Sequence, residues 1–238
     1  MKYTLLLLFL FITFPTYSKN CRWVDRDMAV CLIDIRHHHA TTHILAYRFN
    51  LQRYQLSLAV LKKNDYAHRM LTKDDALIAI NGGYFTKKNL PIGLRVNNGK
   101  KYSQKVNTSW MGVFYSSGNQ ATITQANALA YQPLRFAIQA GPILVKNNQV
   151  YKLRPGLDHR SAIGIINKHI IVLAVSTGAP ISLSHWARIM RRYFNCTAAL
   201  NLDGGTSAQM DSVYGYHIDN FKAVKDIILV RRRQATGY

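Results

Sequence analysis

The apolar residues of this chain arrive in short runs, many alternating with polar residues at period two, and most runs are closed by Asn, Ser or Gly. Such a pattern builds strands joined by tight turns and leaves little room for helices. Strands are expected at Met28 to Ile35, His43 to Asn50, Gln55 to Leu61, Leu77 to Asn81, Ile92 to Val96, Trp110 to Tyr115 and Ala121 to Gln125. The series continues with Phe136 to Gln139, Ile143 to Lys146, Ala162 to Asn167, His169 to Ser176, Ala198 to Leu202, Ser207 to Met210 and Val224 to Arg231. Asn97-Asn98-Gly99, Ser116-Ser117-Gly118-Asn119 and Asn147-Asn148 read as hairpin turns, because Asn and Gly accept positive φ at low cost.

Two helices are expected among these strands. A short one falls around Lys73 to Ala76, with Asp74 and Asp75 in a first turn, where negative charge suits the helix dipole. The other starts at Ser182 or Ser184 as N-cap, carries Trp186, Ile189, Met190 and Tyr193 at helical spacing, and ends among Arg188, Arg191 and Arg192. Many strands with a few inserted helices point to an α+β domain built on mixed β-sheets. Strand and helix do not alternate strictly, which argues against a doubly wound parallel fold.

Residues 1–18 carry a short positive end, an uncharged apolar run from Leu5 to Phe14, and small residues at Thr16 and Ser18. This is the pattern of a secretory signal cut after Ser18. Its apolar run of about ten residues is short of the roughly 20 that span a bilayer, and Lys19 and Asn20 do not suit a lipid-modified Cys21. Residues 19–238 show no linker, repeat or low-complexity tract, so they are expected to form one secreted or periplasmic domain. Loss of Lys2 with the signal takes the formal charge from +20 to +19. That surplus attracts anionic partners, which outside the cytosol are phosphorylated glycans, acidic lipids or acidic substrates before nucleic acid, with a solvated basic surface that aids solubility as the structural alternative. The clusters Arg191-Arg192 and Arg231-Arg232-Arg233 lack the interleaved aromatics of a single-strand platform. Three Cys in an oxidising compartment allow one disulfide. Cys31 with Cys196 is the expected pair, since both fall in or beside core strands; Cys21 with Cys31 is the local alternative.

All 11 acidic residues are Asp. The absence of Glu removes the His-Glu-x-x-His zinc motif and any glycosidase pair built from Glu, so a catalytic carboxylate must be an Asp. Three segments place a polar residue and glycine at the end of an apolar strand: Asn81-Gly82-Gly83-Tyr84-Phe85, Gln139-Ala140-Gly141-Pro142-Ile143 and Asn201-Leu202-Asp203-Gly204-Gly205-Thr206-Ser207. Glycine there lets backbone approach a ligand closely, and strand ends facing one side can share a polar cleft. A fourth segment, Asp158-His159-Arg160-Ser161, leads straight into an apolar strand. Arg160 suits a bidentate grip on phosphate or carboxylate, with a salt bridge to a nearby Asp as its structural alternative. His159 is a candidate acid or base, with a surface or hydrogen-bonded histidine as its structural alternative.

Taken together these blocks resemble the NAGPA-like phosphodiester glycosidases, secreted enzymes related to the lysosomal uncovering enzyme, with periplasmic bacterial members. The resemblance rests on the four segments above, extended through Val145 and Gly164, and on Pro91-Ile92-Gly93-Leu94, Gly112-Val113-Phe114 and Ala199-Leu200. It covers about residues 77 to 210 in the family's order. Thr206 departs from the glycine or serine of many relatives, and His159 from their proline or small residue.

The resemblance implies the NAGPA-like fold and hydrolysis of a sugar 1-phosphodiester at the glycosidic bond, without a cofactor. Asp203 is then the nucleophile or base and Asp158 the second carboxylate, whose separation would choose between retention and inversion. Arg160, with Arg95, would stabilise the departing phosphate. Asn81 and Gln139 would hold sugar hydroxyls, and Tyr84 would offer a ring face, while Phe85 packs in the core. Gly82, Gly83, Gly141, Asn201, Gly204, Gly205, Thr206 and Ser207 would complete the substrate surface. A rival from another class is a non-catalytic module that holds an anionic envelope glycan, and a third is a hydrolase that cuts the phosphorus-oxygen bond. His37-His38-His39 with His43 places two imidazoles on one strand face, yet no Cys or Asp completes a structural zinc set, so no metal is expected. Ser207 lacks the Gly-x-Ser-x-Gly frame of a serine hydrolase.

Overall fold

The computed structural model describes residues 17–36, 39–130, 132–219 and 222–234. The expected leader at residues 1–18 and the histidines 37 and 38 fall wholly or almost wholly outside these. In chain order the first elements are β1 (Tyr17–Asp25), β2 (Met28–Arg36), β3 (Thr41–Asn50), β4 (Tyr54–Asp65), α1 (Ala67–Lys73), β5 (Ile78–Asn81), β6 (Arg95–Asn97), β7 (Lys100–Ser103), β8 (Gly112–Ser117) and β9 (Gln120–Gln125). They continue with β10 (Phe136–Ala140), β11 (Ile143–Lys146), β12 (Gln149–Val150), β13 (Leu157–Asp158), β14 (Ser161–Asn167), β15 (Ile170–Gly178) and β16 (Ile181–Ser182). α2 (Leu183–Arg192), β17 (Ala198–Asn201), a 3-10 turn at Gly205–Ser207, β18 (Met210–Ser212) and β19 (Val224–Arg232) close the chain.

Three sheets share one core. The largest runs β1-β2-β3-β15-β14-β17-β11-β12, the second β7-β6-β10-β8-β9 and the third β18-β5-β19-β4, with β13 and β16 as a separate pair. Alternation along the large sheet sorts its side chains cleanly. Leu45, Tyr47, Phe49, Ile163, Ile165, Leu173 and Val175 face the central core, where they meet Ile78, Ile80 and Ile228 of the third sheet and Phe114 and Phe136 of the second. Ile44, Ala46, Ala162, Val172 and Ala174 face the other way, onto Trp186, Ile189 and Met190 of α2. Period two thus distributes one strand's residues between two cores.

Every strand pairing among the described residues is antiparallel. The expectation of α+β with mixed sheets is corrected to a largely β architecture with two short helices. Short turns join antiparallel neighbours, whereas parallel ones need crossovers of about a dozen residues or more. The first helix also lies earlier than expected: it spans Ala67–Lys73, and Asp74 is its C-cap, with its N–H donating to the Met70 carbonyl. Arg231 compensates the acid there, its Nη2 lying 3.3 Å from Asp74 Oδ1. The N-cap of α2 is Ser182, which accepts from the His185 N–H at 3.2 Å. Among the described residues no helix is long and apolar enough to cross a membrane.

The disulfide joins Cys21 to Cys31, and Cys196 is free and buried, so the Cys31–Cys196 expectation is overturned. The cause is register. Cys21 stands directly opposite Cys31 in the β1–β2 pair, while Cys196 packs over Gly164 of β14, three strand positions from β2 and so roughly 14 Å away at about 4.8 Å per strand. Burial also pushes the Cys196 thiol well above its usual range. Thiol labelling of the native protein is therefore expected to leave Cys196 unmodified until denaturant is added, and non-reducing peptide mapping to recover Cys21 linked to Cys31. Native labelling of Cys196, or a peptide linking it to Cys31, would contradict this arrangement.

Candidate active site

The β14–β17 register pairs Ala162 with Asn201, so Arg160, just before β14, and Asp203, just after β17, emerge at the same end of the large sheet. β11 pairs with β17 on its other side, which brings Gly141 and Pro142 to that end, where the Asn201 N–H donates to the Pro142 carbonyl at 3.0 Å. The third sheet supplies the end of β5: the Asp203 N–H donates to the Gly82 carbonyl at 3.0 Å, and Asn81 Nδ2 donates to the Asp203 carbonyl at 2.8 Å. The four segments singled out in the sequence therefore meet at the seam of the sheets. Glycine is required where they touch: a Cβ on Gly82 would stand 1.8 Å from Asp226 Oδ1, and one on Gly83 2.3 Å from Arg95 Nη2.

Asp203 is partly buried in this seam. Desolvation raises its pKa above the ordinary carboxylate value, against the opposing pull of the Ser207 hydroxyl, the Gly204 N–H and the charge of Lys222. The Gly204 N–H donates to Asp203 Oδ1 at 3.0 Å. A raised folded-state pKa means that the folded protein binds the extra proton first. The penalty of the buried charge is absent below the unfolded value, grows through the window between the two pKa values, and persists above the folded one. Asp203→Asn is therefore expected to melt higher than wild type near neutral pH, with the gap closing below about pH 3.9, the unfolded carboxyl value. Thermal melts across that range check it; a gap that widens on acidification would reverse the assigned cause.

Arg160 is half-buried, its Nε donating to the Ile181 carbonyl at 3.1 Å and its Nη2 to the Gly156 carbonyl at 2.7 Å. No ion pair engages it among the described residues. Burial lowers its pKa, while Asp158 and Tyr84 pull the other way. The exposed Asp158 carboxylate packs against Gly205, whose N–H donates to the His159 carbonyl at 2.9 Å. His159 Nε2 lies 3.0 Å from the Gly178 carbonyl. Tyr84 links the two sides. Its hydroxyl donates to the Gly141 carbonyl and accepts from Asn201 Nδ2 at 3.2 Å. Burial lifts its pKa to about 12, and the charges of both Asp203 and Arg160 act on it. Thr206 is exposed beside them, and Ser207 is buried beneath.

Comparison with known proteins decides the family. A profile of the NAGPA phosphodiester glycosidases matches residues 74–231, more than half of the chain. The chain belongs to the NAGPA phosphodiester glycosidase family. It is 26% identical over 191 residues to the uncharacterized protein YigE of Escherichia coli (strain K12), covering 70% of this chain and 74% of YigE. In fold it is similar to the catalytic domain of zebrafish N-acetylglucosamine-1-phosphodiester alpha-N-acetylglucosaminidase auto-inhibited by its pro-peptide, with TM-score 0.70, 15% identity, and 92% of this chain and 89% of that one covered. A hypothetical protein from Synechocystis aligns with TM-score 0.69 and 15% identity; 91% of this chain is covered, spanning 64% of the Synechocystis chain.

Within this NAGPA fold, three expected substrate contacts are taken up by the framework. Arg95 is fully buried, its Nε 2.8 Å from Asp226 Oδ2 and its remaining nitrogens donating to the carbonyls of Ile92, Leu94, Gln139 and Tyr84. Gln139 is fully buried, its Oε1 accepting from the Leu94 and Val106 N–H groups at 3.0 Å each and its Nε2 donating to the Val106 carbonyl at 2.6 Å. Asn81 spends its Oδ1 on the Ser161 hydroxyl at 2.7 Å and the Gln209 N–H at 3.1 Å. These side chains position the site without reaching its surface. Asn201 is also buried, and its Oδ1 has no hydrogen-bond partner among the described residues. Phe85 packs against the small core beneath α1, as its expected role required, with Lys222 over its ring.

Sequence reading missed Asp226, Lys222 and Trp110. Asp226 is fully buried at a bulge in β19, where its Oδ1 accepts the Gly83 N–H at 2.8 Å. The signal was present: a charged residue inside the apolar run Val224 to Val230 must be paired if buried. The Trp110 ring lies 6.0 Å from that of Tyr84, tilted by 47°, and stays 54% exposed. Of the expected histidine cluster, His43 Nδ1 lies 2.8 Å from Asp34.

Proposed function

We propose that this protein hydrolyses the glycosidic bond of a sugar 1-phosphodiester, releasing a free sugar and a phosphomonoester. The observation that carries this reading is geometric: the β14–β17 register brings Asp203, a desolvated carboxylate, and Arg160, a half-buried cation, out at the same end of the large sheet. Ionised Asp203 attacks the anomeric carbon to form a glycosyl ester that water then hydrolyses, or takes a proton from a water that attacks the carbon directly. The bond from that carbon to the phosphate oxygen breaks, and its electron pair leaves on the phosphate. A phosphate monoester departs without full protonation, so Arg160 replaces much of the work of a general acid. Asp158 and His159, on the rim next to Gly204 and Gly205, serve as second carboxylate and proton carrier. Gly141, Asn201 and Tyr84 form the wall that receives the sugar, and Thr206 and Ser207 flank Asp203.

The charge of the chain and its membership of a phosphodiester glycosidase family both favour a phosphorylated or otherwise anionic glycan as the substrate class. A cross-strand disulfide and the apolar run Leu5 to Phe14 favour a secreted or periplasmic setting. A panel of sugar 1-phosphodiesters incubated in isotope-labelled water tests the reaction. The expected result is release of the sugar with the label in the sugar. Label in the phosphate would mean cleavage at phosphorus. No release from any diester would leave the binding of anionic glycans without cleavage as the better account.

A further inference from the structure

A cavity of about 550 Å³ lies beside the proposed reaction centre, and Trp110, Pro142, Tyr151, Lys152, Arg154 and Leu183 are among its walls. Its walls lie close along the chain to residues of that centre. Pro142 follows Gly141, whose carbonyl holds Tyr84 and Asn201. Leu183 stands two residues after Ile181, whose carbonyl anchors Arg160. The Trp110 ring reaches Tyr84 directly.

The lining has a specific chemistry. Trp110 and Tyr151 remain 54% and 42% exposed, whereas Trp186, with no such cavity to face, is fully buried under the large sheet. Exposed aromatic faces beside a polar centre suit the apolar face of a sugar ring. Lys152 and Arg154 are exposed, and neither forms an ion pair with a described residue. Two uncompensated cations next to two aromatics favour a ring that also carries negative charge.

We propose that this cavity is the subsite for the leaving-group side of the substrate, and that its occupant is a saccharide carrying at least one negative charge besides the scissile phosphate. The sugar stacks on Trp110 and Tyr151, and its further anionic group pairs with Lys152 and Arg154. The proposal rests on the phosphodiester reading of Asp203 and Arg160 and narrows the substrate to an anionic oligosaccharide or polymer.

Two substrates test it: a sugar 1-(methyl phosphate) and the same sugar 1-phosphate joined to a uronic-acid disaccharide. For Trp110→Ala, and separately for Lys152→Ala with Arg154→Ala, the ratio of kcat/KM for the anionic diester over the methyl diester is expected to fall roughly tenfold. The double variant should also flatten the salt dependence of that ratio. A ratio that stays at the wild-type value in both would overturn the subsite. Titration of Asp203→Asn with the uronic-acid disaccharide phosphate, followed by tryptophan emission, separates the two claims. A change in emission that Lys152→Ala with Arg154→Ala abolishes supports the subsite even if no diester is cleaved, and no change at millimolar ligand argues against it.

Discussion

Asp203→Asn is expected to lower kcat/KM for sugar release by about 10²–10⁴-fold while leaving the protein folded and able to hold the phosphomonoester product. The substitution removes one charge and keeps shape. Asn still offers an oxygen to the Gly204 N–H and the Ser207 hydroxyl, the groups that orient the carboxylate. What it loses is the ionised oxygen to which the proposed reaction assigns the attack or the proton of water. The acid limb of the wild-type profile should follow the same group: its pKa is raised by desolvation, so activity falls as pH drops through a value above the ordinary carboxylate range. Turnover within threefold of wild type in Asp203→Asn would move the chemistry elsewhere, with Asp158 next in line.

The largest effect on stability is expected at a pair remote from solvent. Arg95→Met should destabilise the protein by about 3–5 kcal/mol, because it strands a buried carboxylate and several carbonyls at once. The guanidinium is the hub: Asp226 on one edge, and the carbonyls of Ile92, Leu94, Gln139 and Tyr84 around the rest. Lysine presents a point charge with three donors and cannot match that fork, so Arg95→Lys should recover little. Since Asp226 also holds the Gly83 N–H, activity should fall with stability as the Gly82-Gly83 turn loosens. Urea unfolding measures the first and sugar release the second. Arg95→Met with Asp226→Leu should restore part of the loss, since no charge is then buried alone. A cost below about 1 kcal/mol for Arg95→Met would show that the pair is dispensable.

The strands were readable because alternation reports directly which face of a sheet is buried. Met28, Ala46, Ile163 and Leu173 all fall within expected strands and point to the core their parity assigns. β1 was missed because its sequence Tyr17–Asp25 alternates weakly, and β12, β13 and β16, of two residues each, are too short to carry a period. Ile92 to Leu94 read as strand but is bent by Gly93 at φ +89, pressed against the Gln139 side chain. The Asp74-Asp75 misplacement has a long-range cause. A carboxylate at a helix C-terminus is unfavourable by itself, and only Arg231, 157 residues away, makes it acceptable.

The site was legible as a set of segments and not as a set of roles. Polar residues followed by glycine at three strand ends are visible in any linear reading, and these three segments converge with the polar lead-in to β14. By itself, the sequence determined that many short strands would form, that any reacting carboxylate is an Asp, and that the chain carries excess positive charge. Tertiary structure alone decided which polar groups stay available. Arg95 and Asp226 are 131 residues apart, Asn81 and Asp203 are 122 apart, and neither relation has a local signal. A buried donor or acceptor must find its partner wherever packing brings one. That requirement consumed Arg95, Gln139 and Asn81 and left Asp203 and Arg160 at the seam of the sheets, while strand register set Cys31 opposite Cys21.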